Sequence, residues 1–341
     1  MNTLWGLALV VVVSLLVTGV LRQYALARRL IDIPGARTSH SVPTPRGGGV
    51  AIVLSFLMAL PMLVWTGTVA WPLTAALLGA GSLIALIGFL DDHGHIKARW
   101  RLLAHFAGAL WALFWIGGMA PFDVLGTPIH LGGFGYVIGA FYVVWMLNLY
   151  NFMDGIDGLA SVEALCACAG ACLVYWLGGH ASLVAAPLVL AMAVLGFLVW
   201  NFPPAKIFMG DSGSGFLGMV LAVLSLHAAW TDPTLLWAWL ILLGVFIVDA
   251  TLTLIRRLLR GDKVYEAHRS HAYQYASRRW RSHRTVTLAI AGLNVLWLLP
   301  VAVLVVMHHL DGLTGLVMAY MPLVLLALKC HAGELELTDM D

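Results

Sequence analysis

The chain has 341 residues, of which 61% are hydrophobic and 11% are charged, and its formal net charge at pH 7 is +2. Apolar stretches of about 18 residues or more recur along it, which a soluble core does not need. The composition therefore excludes an ordinary soluble globular protein and indicates a polytopic membrane protein, whereas the small net charge says little about partners.

Eleven apolar segments are long enough to be predicted as membrane-spanning helices. In chain order they are residues 3–21, 47–66, 72–90, 102–119, 132–150, 162–177, 183–200, 213–230, 234–255, 286–307 and 313–328. The predicted fold is all-α: a polytopic integral membrane protein with about eleven transmembrane helices, built as a single transmembrane domain over residues 1–341.

The Lys and Arg residues predict how these segments are oriented. All 19 of them fall on one side of the resulting topology, and the connections on the other side carry none. Because cytoplasmic loops retain Lys and Arg, we expect the amino terminus outside and the carboxyl terminus in the cytoplasm. The expected cytoplasmic loops are residues 22–46, 91–101, 151–161, 201–212 and 256–285.

Two adjacent carboxylates, Asp91 and Asp92, end the third predicted span. The helix dipole is negative there and the two charges repel each other, so a cation should compensate them. The alternative is a solvated loop whose acids pair with Lys97, Arg99 or Arg101, and the pair alone does not decide between function and structure.

Residues 151–158 follow the fifth predicted span and contain two Asp-Gly units. Asp154 and Asp157 would share one face of a helical turn, which suits a divalent ion or a pyrophosphate. An Asp-Gly turn is the alternative interpretation. Two such units beside Asn148 and Asn151, at the edge of the bilayer, exceed what a turn requires, so we favour a functional site.

Residues 208–215 open the eighth predicted span and are rich in Gly and Ser. Free backbone N–H groups and the positive end of the helix dipole suit a phosphate there, and Asp211 can hold a hard cation that neutralises it. An Asp that caps the helix is the alternative, and the two interpretations do not exclude each other. Residues 37–49, which include Arg46, also put glycines at a cytoplasmic helix start and are expected to add phosphate contacts.

The remaining candidates lie at the end of the ninth span and in the loop that follows it. Asp249 is inside the span, about two turns before Arg256, and is predicted either to pair with that arginine or to act directly in catalysis. His268 and His271 flank Arg269 and are suited to an anionic phosphoryl group or, when neutral, to a metal. Binding of this basic loop to anionic lipid headgroups is the alternative.

These motifs, in this order and on this side of the membrane, resemble the polyprenyl-phosphate N-acetylhexosamine-1-phosphate transferase superfamily. The match runs from about Arg37 to His271. The resemblance implies a Mg²⁺-dependent reaction, with Mn²⁺ as the alternative ion, at the cytoplasmic face of the bacterial inner membrane. The phosphate of undecaprenyl phosphate attacks the β-phosphorus of a UDP-N-acetylamino sugar, which gives a lipid diphosphosugar and UMP. Both substrates and the bilayer are the implied partners, a homodimer is a further expectation, and no nucleic acid is expected.

The resemblance also implies which residues do the work. The implied catalytic residues are Asp91, Asp92, Asp157, His268 and His271. The implied substrate-binding residues are Arg46, Asn151, Asp154, Asn201, Lys206, Phe208 and Arg269, with Phe208 stacked on uracil. The implied metal ligands are Asp211, Asn151 and Asp154. The roles of Asp91 and Asp92 stay open between metal binding, proton removal and nucleophilic attack.

Two departures from the family pattern bear on the sugar. The histidine motif at His268 and His271 is shorter than usual, and His95 stands where an acidic residue is often found. The short motif is more similar to O-antigen initiating transferases of the WbpL type than to the peptidoglycan enzyme. N-acetylfucosamine and N-acetylquinovosamine are therefore reasonable donor sugars beside N-acetylglucosamine.

A secondary transporter that uses the acids as cation sites is the alternative function. Transporters place such sites near the bilayer midplane, on interrupted helices. Here the acidic motifs cluster at one interface and only Asp249 lies deeper, which favours the enzyme.

Overall fold

The computed structural model describes residues 3–35, 39–40, 42–94, 96–262 and 268–334. Arg37 and His95, which the sequence analysis singled out, lie outside these residues. Within the described part, the chain forms fourteen α-helices and two short antiparallel sheets of two strands each. The all-α class is confirmed.

The elements follow one another along the chain with short connections. The helices are α1 (Thr3–Ala27), α2 (Val50–Trp65), α3 (Trp71–His93), α4 (Ala98–Ile116), α5 (Phe134–Met153), α6 (Leu159–Leu177), α7 (Ala185–Asn201), α8 (Asp211–Ala229), α9 (Thr234–Leu242), α10 (Gly244–Arg260), α11 (Ala272–Trp280), α12 (His283–Leu293), α13 (Leu299–Val306) and α14 (Gly312–Lys329). A π-helical turn, Asn294–Leu298, makes α12 and α13 continuous. The strands are β1 (Ile31–Asp32), β2 (Thr44–Pro45), β3 (Phe122–Val124) and β4 (Thr127–Ile129), and β1 pairs with β2 and β3 with β4.

Each of the eleven predicted spans coincides with one of these helices or with a consecutive pair. In the part of the chain that is described, eight helical stretches are long and apolar enough to cross a membrane, or nine if α9 and α10, bent by 72°, form one span. The two predicted spans outside this group are α2, with only 16 residues, and α4, whose first turn carries Arg99 and Arg101. Length and hydropathy therefore support eight or nine spans, fewer than the eleven expected, and they confirm the polytopic membrane fold.

Helix α8 lies at the centre of the bundle, and 94% of its apolar 18-residue stretch is buried inside the protein. Its first turn touches the backbone of α3, because a Cβ on Gly88 would lie only 2.5 Å from the backbone nitrogen of Ser212. A larger residue at position 88 would separate the two helices. This close approach places the carboxyl end of α3 beside the amino end of α8.

The segment before α2 is held against the segment before α8 by backbone hydrogen bonds. The amide of Phe208 donates to the carbonyl of Pro45 (2.8 Å), the amide of Gly48 donates to the carbonyl of Phe208 (2.9 Å), and the amide of Gly49 donates to that of Met209 (2.8 Å). The connection thereby brings Arg46 to the same end of the bundle. The fold thus gathers the end of α3, the segment before α2 and the start of α8 at one site.

Candidate active site

A pocket of about 220 Å³ lies where these segments meet. The end of α3, the α5–α6 turn, the α7–α8 connection and the segment before α2 all contribute to its wall. The predicted site residues that line it are Arg46, Asp92, Asn151, Asp154, Asp157, Asn201, Phe208 and Asp211. The acidic motifs, which are far apart in the sequence, therefore converge on one pocket at one end of the membrane helices.

Asp92 caps helix α8 from outside. It is only 5% exposed, and its two carboxylate oxygens accept hydrogen bonds from the amides of Asp211 (3.2 Å) and Ser212 (3.3 Å). The N-cap position is Gly210, with φ of 78°, and a Cβ there would lie 2.7 Å from Oδ2 of Asp92. Glycine is required for both reasons. Since Asp92 satisfies the amides at the start of α8, Asp211 is not the cap that the alternative interpretation had offered.

The side chain of Asp211 is held by polar neighbours and faces the pocket. Its Oδ1 accepts a hydrogen bond from Nδ2 of Asn151 (3.0 Å), and the same nitrogen donates to Oγ of Ser214 (2.9 Å). Its Oδ2 lies 3.4 Å from Nη1 of Arg101. Asn151 therefore orients the carboxylate of Asp211.

Negative charge accumulates around Asp154, at the carboxyl end of α5. Removal from solvent, followed by repulsion from the carboxylates of Asp211, Asp92 and Asp157, raises the pKa of Asp154 well above its ordinary value. A cation bound among these side chains would relieve this repulsion. Binding of a positive ion in this pocket would therefore be electrostatically favourable.

The same side chains fit Mg²⁺ when a substrate supplies the other ligands. Among the described residues, no three His, Cys, Asp or Glu side chains converge closely enough to hold a metal ion by themselves. Sites for phosphoryl transfer hold Mg²⁺ through one or two carboxylates together with water and substrate phosphates. The hard oxygen ligands of Asp154 and Asp211 match that requirement.

Asp157 is fixed by two neighbouring segments, helix α12 and the α7–α8 connection. Its Oδ1 lies 3.1 Å from Nδ1 of His283, and its Oδ2 accepts a hydrogen bond from the amide of Ala205 (2.9 Å). Although burial opposes its charge, the hydrogen bonds from His283 and Ala205 keep the pKa of Asp157 below its ordinary value. The backbone carbonyl of Asp157 also accepts a hydrogen bond from Oγ1 of Thr287 (3.0 Å). Asp157 thus anchors the α5–α6 turn.

Three more predicted residues, Asn201, Phe208 and Arg46, shape the pocket wall. Asn201 is buried, and its Oδ1 accepts from the amide of Gly158 (3.1 Å) while its Nδ2 donates to the carbonyl of Ile207 (3.1 Å). The ring of Phe208 packs edge-on against His40 with centroids 4.9 Å apart. Arg46 donates from Nη2 to the backbone carbonyl of Asp92 (2.6 Å).

Asp91 does not line this pocket, although it adjoins Asp92. Successive residues of a helix point about 100° apart, and Asp91 instead forms an ion pair with Arg101 and accepts a hydrogen bond from the amide of Ile96 (2.7 Å). Asp91 therefore forms the ion pair with Arg101 that the solvated-loop alternative predicted, whereas Asp92 does not.

The histidine loop also lies away from the pocket wall, and Asp249 explains why. Oδ1 of Asp249 accepts from the amide of Ala272 (2.9 Å) and lies 3.2 Å from Nδ1 of His271, and Oδ2 accepts from the amide of Tyr273 (3.0 Å). The predicted pairing of Asp249 with Arg256 is wrong, because Asp249 caps α11 and Arg256 pairs with Glu334 at 2.8 Å. A direct role of Asp249 in catalysis stays a prediction.

His268 and Arg269, the other predicted residues of that loop, do not line the pocket either. His268 packs its ring 4.9 Å from that of His271, and burial followed by the nearby charges of His271 and Arg257 lowers the pKa of His268 to about 3. A neutral His268 brings no charge to a phosphoryl group. Arg269 does not line the pocket, and its carbonyl accepts a hydrogen bond from Arg278 (3.2 Å).

Lys206 lies off the pocket as well, because its ammonium sits 5.6 Å from the ring centroid of Trp200. The pocket is also lined by residues that the sequence analysis did not select, among them Asp32, Gln274 and His283. Helix α11 carries Gln274 into place, and the hydroxyl of Tyr273 fixes that helix by donating to the carbonyl of Phe152 (3.0 Å). Helix α12 begins at His283.

Fold and site together define a polytopic α-helical membrane protein with an acidic pocket at the ends of its helices. Residues 74–229 match the model of the family described as glycosyl transferase family 4. Together with the relatives described next, this match shows that the chain belongs to that family, the polyprenyl-phosphate N-acetylhexosamine-1-phosphate transferases, as the sequence resemblance had indicated.

Similar proteins cover most of the chain. A probable undecaprenyl-phosphate N-acetylglucosaminyl 1-phosphate transferase of Bacillus subtilis is 32% identical over 281 residues, which are 81% of this chain and 77% of that protein. A decaprenyl-phosphate N-acetylglucosaminephosphotransferase of Mycobacterium tuberculosis is 33% identical over 318 residues, with 82% and 76% covered. A phospho-N-acetylmuramoyl-pentapeptide-transferase of Streptococcus pneumoniae is 32% identical over 231 residues, with 63% and 67% covered.

Proposed function

We propose that this protein transfers an N-acetylamino-sugar 1-phosphate from a UDP-sugar to undecaprenyl phosphate and releases UMP. The observation that carries the proposal is the convergence of Asp92, Asp154 and Asp211, from three separate motifs, on one pocket at the ends of membrane helices. A lipid acceptor reaches such a place from the bilayer, and a nucleotide reaches it from water. Membership of the family supports the same reaction.

The chemistry requires positioning and charge neutralisation more than a strong base. A phosphate monoester has a second pKa near 6, so the acceptor is largely a dianion at neutral pH. Its approach to a diphosphate is opposed by repulsion, which a preorganised polar site must offset. We propose that Asp154 and Asp211 hold Mg²⁺, which when bound would neutralise charge on the donor diphosphate.

A single in-line displacement fits the hydrogen bonds of the aspartate pair. Both oxygens of Asp92 already accept backbone N–H groups, and Asp91 is paired with Arg101. Each of these partners stabilises the carboxylate that it contacts and so weakens that carboxylate as a nucleophile for a covalent intermediate. We propose that Asp92 fixes the start of α8, and with it Asp211, at the reacting phosphates.

A panel of donors tests the proposed reaction. We expect purified protein to move label from a UDP-N-acetylamino sugar into the lipid fraction only when undecaprenyl phosphate is present. N-acetylfucosamine, N-acetylquinovosamine and N-acetylglucosamine are the sugars to compare, since an enzyme that initiates O-antigen or a related surface polysaccharide would take one of them. Label retained in the aqueous fraction with every donor would contradict the proposal. Uptake of a solute by proteoliposomes would favour the transporter instead.

The active site is proposed to face the cytoplasm of a bacterial cell, because the basic loops lie on its side of the membrane. In a cysteine-free background, Cys introduced for exposed Ser182 should react with a membrane-impermeant thiol reagent in intact cells. Cys introduced for exposed Arg279 should react only after permeabilisation. The opposite pattern would show that the orientation is inverted.

A further inference from the structure

His283, the first residue of α12, connects two walls of the acidic pocket. Its Nδ1 lies 3.1 Å from Oδ1 of Asp157 in the α5–α6 turn. Its Nε2 lies 2.9 Å from the backbone carbonyl oxygen of Ser39, in the segment before α2. We call these two contacts the His283 bridge. All three residues of the bridge line the pocket.

The partners of His283 determine how many protons its ring carries. A carbonyl oxygen only accepts hydrogen bonds, so Nε2 carries a proton and donates it to Ser39. Asp157 is ionised at neutral pH, because its pKa lies below the ordinary value in spite of burial, and a carboxylate also only accepts. An unprotonated Nδ1 would turn its lone pair towards Oδ1 of Asp157. Nδ1 therefore carries a proton as well, and the ring is an imidazolium.

A neutral ring is the competing interpretation. The amide of Asp157 approaches the same Nδ1 at 3.4 Å, and it would need a lone pair there. That contact is longer than the 3.1 Å that separates Nδ1 from the carboxylate. Charge-assisted hydrogen bonds are also about twice as strong as neutral ones. The carboxylate therefore decides the protonation state of His283.

The surroundings of His283 contain charges of both signs. The acidic pocket adds the carboxylates of Asp32, Asp92, Asp154 and Asp211 to that of Asp157. The cationic and titratable groups that line this pocket or the cavity next to it are His40, Arg46, Arg278, Arg281 and Arg284. Burial opposes the charge of the ring, but the hydrogen bond and charge of Asp157, together with the carbonyl of Ser39, raise the pKa of His283 above its ordinary value. This histidine belongs to the predicted cytoplasmic loop 256–285, ahead of the apolar stretch of its helix.

The bridge needs the protons on both ring nitrogens. Loss of the proton on Nδ1 would replace a charge-assisted hydrogen bond by repulsion between two acceptors. The bridge holds the turn that carries Asp154 and Asp157 against the segment that leads to Arg46. We propose that protonated His283 is a positioning residue, which fixes these two walls of the pocket at the spacing that transfer requires. The part of this inference that concerns transfer rests on the proposed function.

His283→Gln tests the inference in the full chain, purified in a neutral detergent. The amide of Gln keeps a hydrogen-bond donor and cannot carry a charge. The matched control is His331→Gln, an exposed histidine on the same predicted cytoplasmic side that pairs with Glu334 and lines neither cavity. Asp157→Asn, alone and together with His283→Gln, completes a double-mutant cycle, which isolates the contribution of the pair.

Thermal unfolding at about pH 6 and about pH 9, on either side of the usual range of histidine, measures the bridge without turnover. The raised pKa of His283 stabilises the folded protein below its unfolded pKa, and this contribution disappears as the pH rises through its folded pKa. We expect the wild type to unfold at a higher temperature than His283→Gln at the lower pH, and the two to converge at the higher one. In the Asp157→Asn background the difference should be small at both, and His331→Gln should follow the wild type.

The rate of transfer separates positioning from stability. At a temperature at which every variant is folded, kcat/KM for the donor should be about tenfold higher in the wild type than in His283→Gln at the lower pH, since a charge-assisted hydrogen bond is lost. The ratio should approach one at the higher pH. Ionisation of the acceptor phosphate affects both proteins alike, so it cancels in the ratio.

A difference in unfolding temperature that does not depend on pH, or that persists in the Asp157→Asn background, would overturn the bridge. A difference that follows the pH while the ratio of kcat/KM stays constant would show that the bridge only stabilises the fold, and it would refute the positioning role. A pH-dependent difference in a protein that transfers no sugar phosphate would leave the bridge in place and refute the proposed reaction.

Discussion

Asp211→Asn is expected to reduce sugar-phosphate transfer by roughly 100-fold or more, the scale on which loss of a preorganised electrostatic group reduces turnover. The amide keeps the size of the side chain and weakens binding of Mg²⁺. The start of α8 should survive, because Asp92 rather than Asp211 accepts its amides. Initial rates over a range of Mg²⁺ concentrations measure the loss of turnover, and a high Mg²⁺ concentration should restore a small part of the lost turnover.

The matched control for Asp211→Asn is Asp262→Asn. Asp262 belongs to the same predicted cytoplasmic side and pairs with Arg260, outside the acidic pocket. Its substitution removes the same charge and should leave turnover within a factor of about two, as for an exposed pair. Near-normal turnover of Asp211→Asn at limiting Mg²⁺ would show that the ion is held elsewhere.

Asp154→Asn is expected to have opposite effects on activity and on stability. Turnover should fall by roughly 100-fold, because the other proposed ligand is lost. Without Mg²⁺ the variant should unfold at a higher temperature than the wild type at neutral pH. The pKa of Asp154 is raised in the folded protein, so the carboxyl ionises more readily in the unfolded chain. The free energy of unfolding therefore falls as the pH rises from the unfolded pKa of this group through its folded pKa. The uncharged amide avoids that cost.

Thermal unfolding in EDTA and in Mg²⁺ measures this second effect. Mg²⁺ should stabilise the wild type, since a ligand that binds only the folded state shifts the equilibrium towards it. It should stabilise Asp154→Asn much less. An Asp154→Asn protein that is less stable than the wild type in EDTA, with the same gain on addition of Mg²⁺, would show that Asp154 is a structural residue.

The sequence predicted the pocket because its signals are local. Apolar segments and basic loops put Asp92, Asp154 and Asp211 on one side of a membrane, and glycines beside them mark helix ends. Which of Asp91 and Asp92 faces the pocket could not be predicted, since both end the same helix. Only the packing of α3 against α8 decides it. Gly88 permits that packing, and its backbone contact with Ser212 has no signature in the sequence.

The contribution of the loop after α10 could be predicted least. Asp249 accepts the amide of Ala272, 23 residues further along the chain, and so fixes how α11 docks. That docking turns His271 towards Asp249 and carries Gln274 to the pocket. A pair of histidines beside an arginine looked like the chemical centre of the loop, whereas the place of His283 in the pocket wall follows from tertiary structure alone.

Following the phosphorus atoms of the donor tests the central claim most directly. Purified protein is incubated with undecaprenyl phosphate, Mg²⁺ and a UDP-N-acetylamino sugar labelled with ³²P at the β-phosphate. The account predicts that the labelled phosphate and the sugar enter the lipid fraction in equal molar amounts. It also predicts that unlabelled UMP is released only when the lipid is present. Label recovered in UDP, or UMP released in stoichiometric amount from the donor alone, would contradict it.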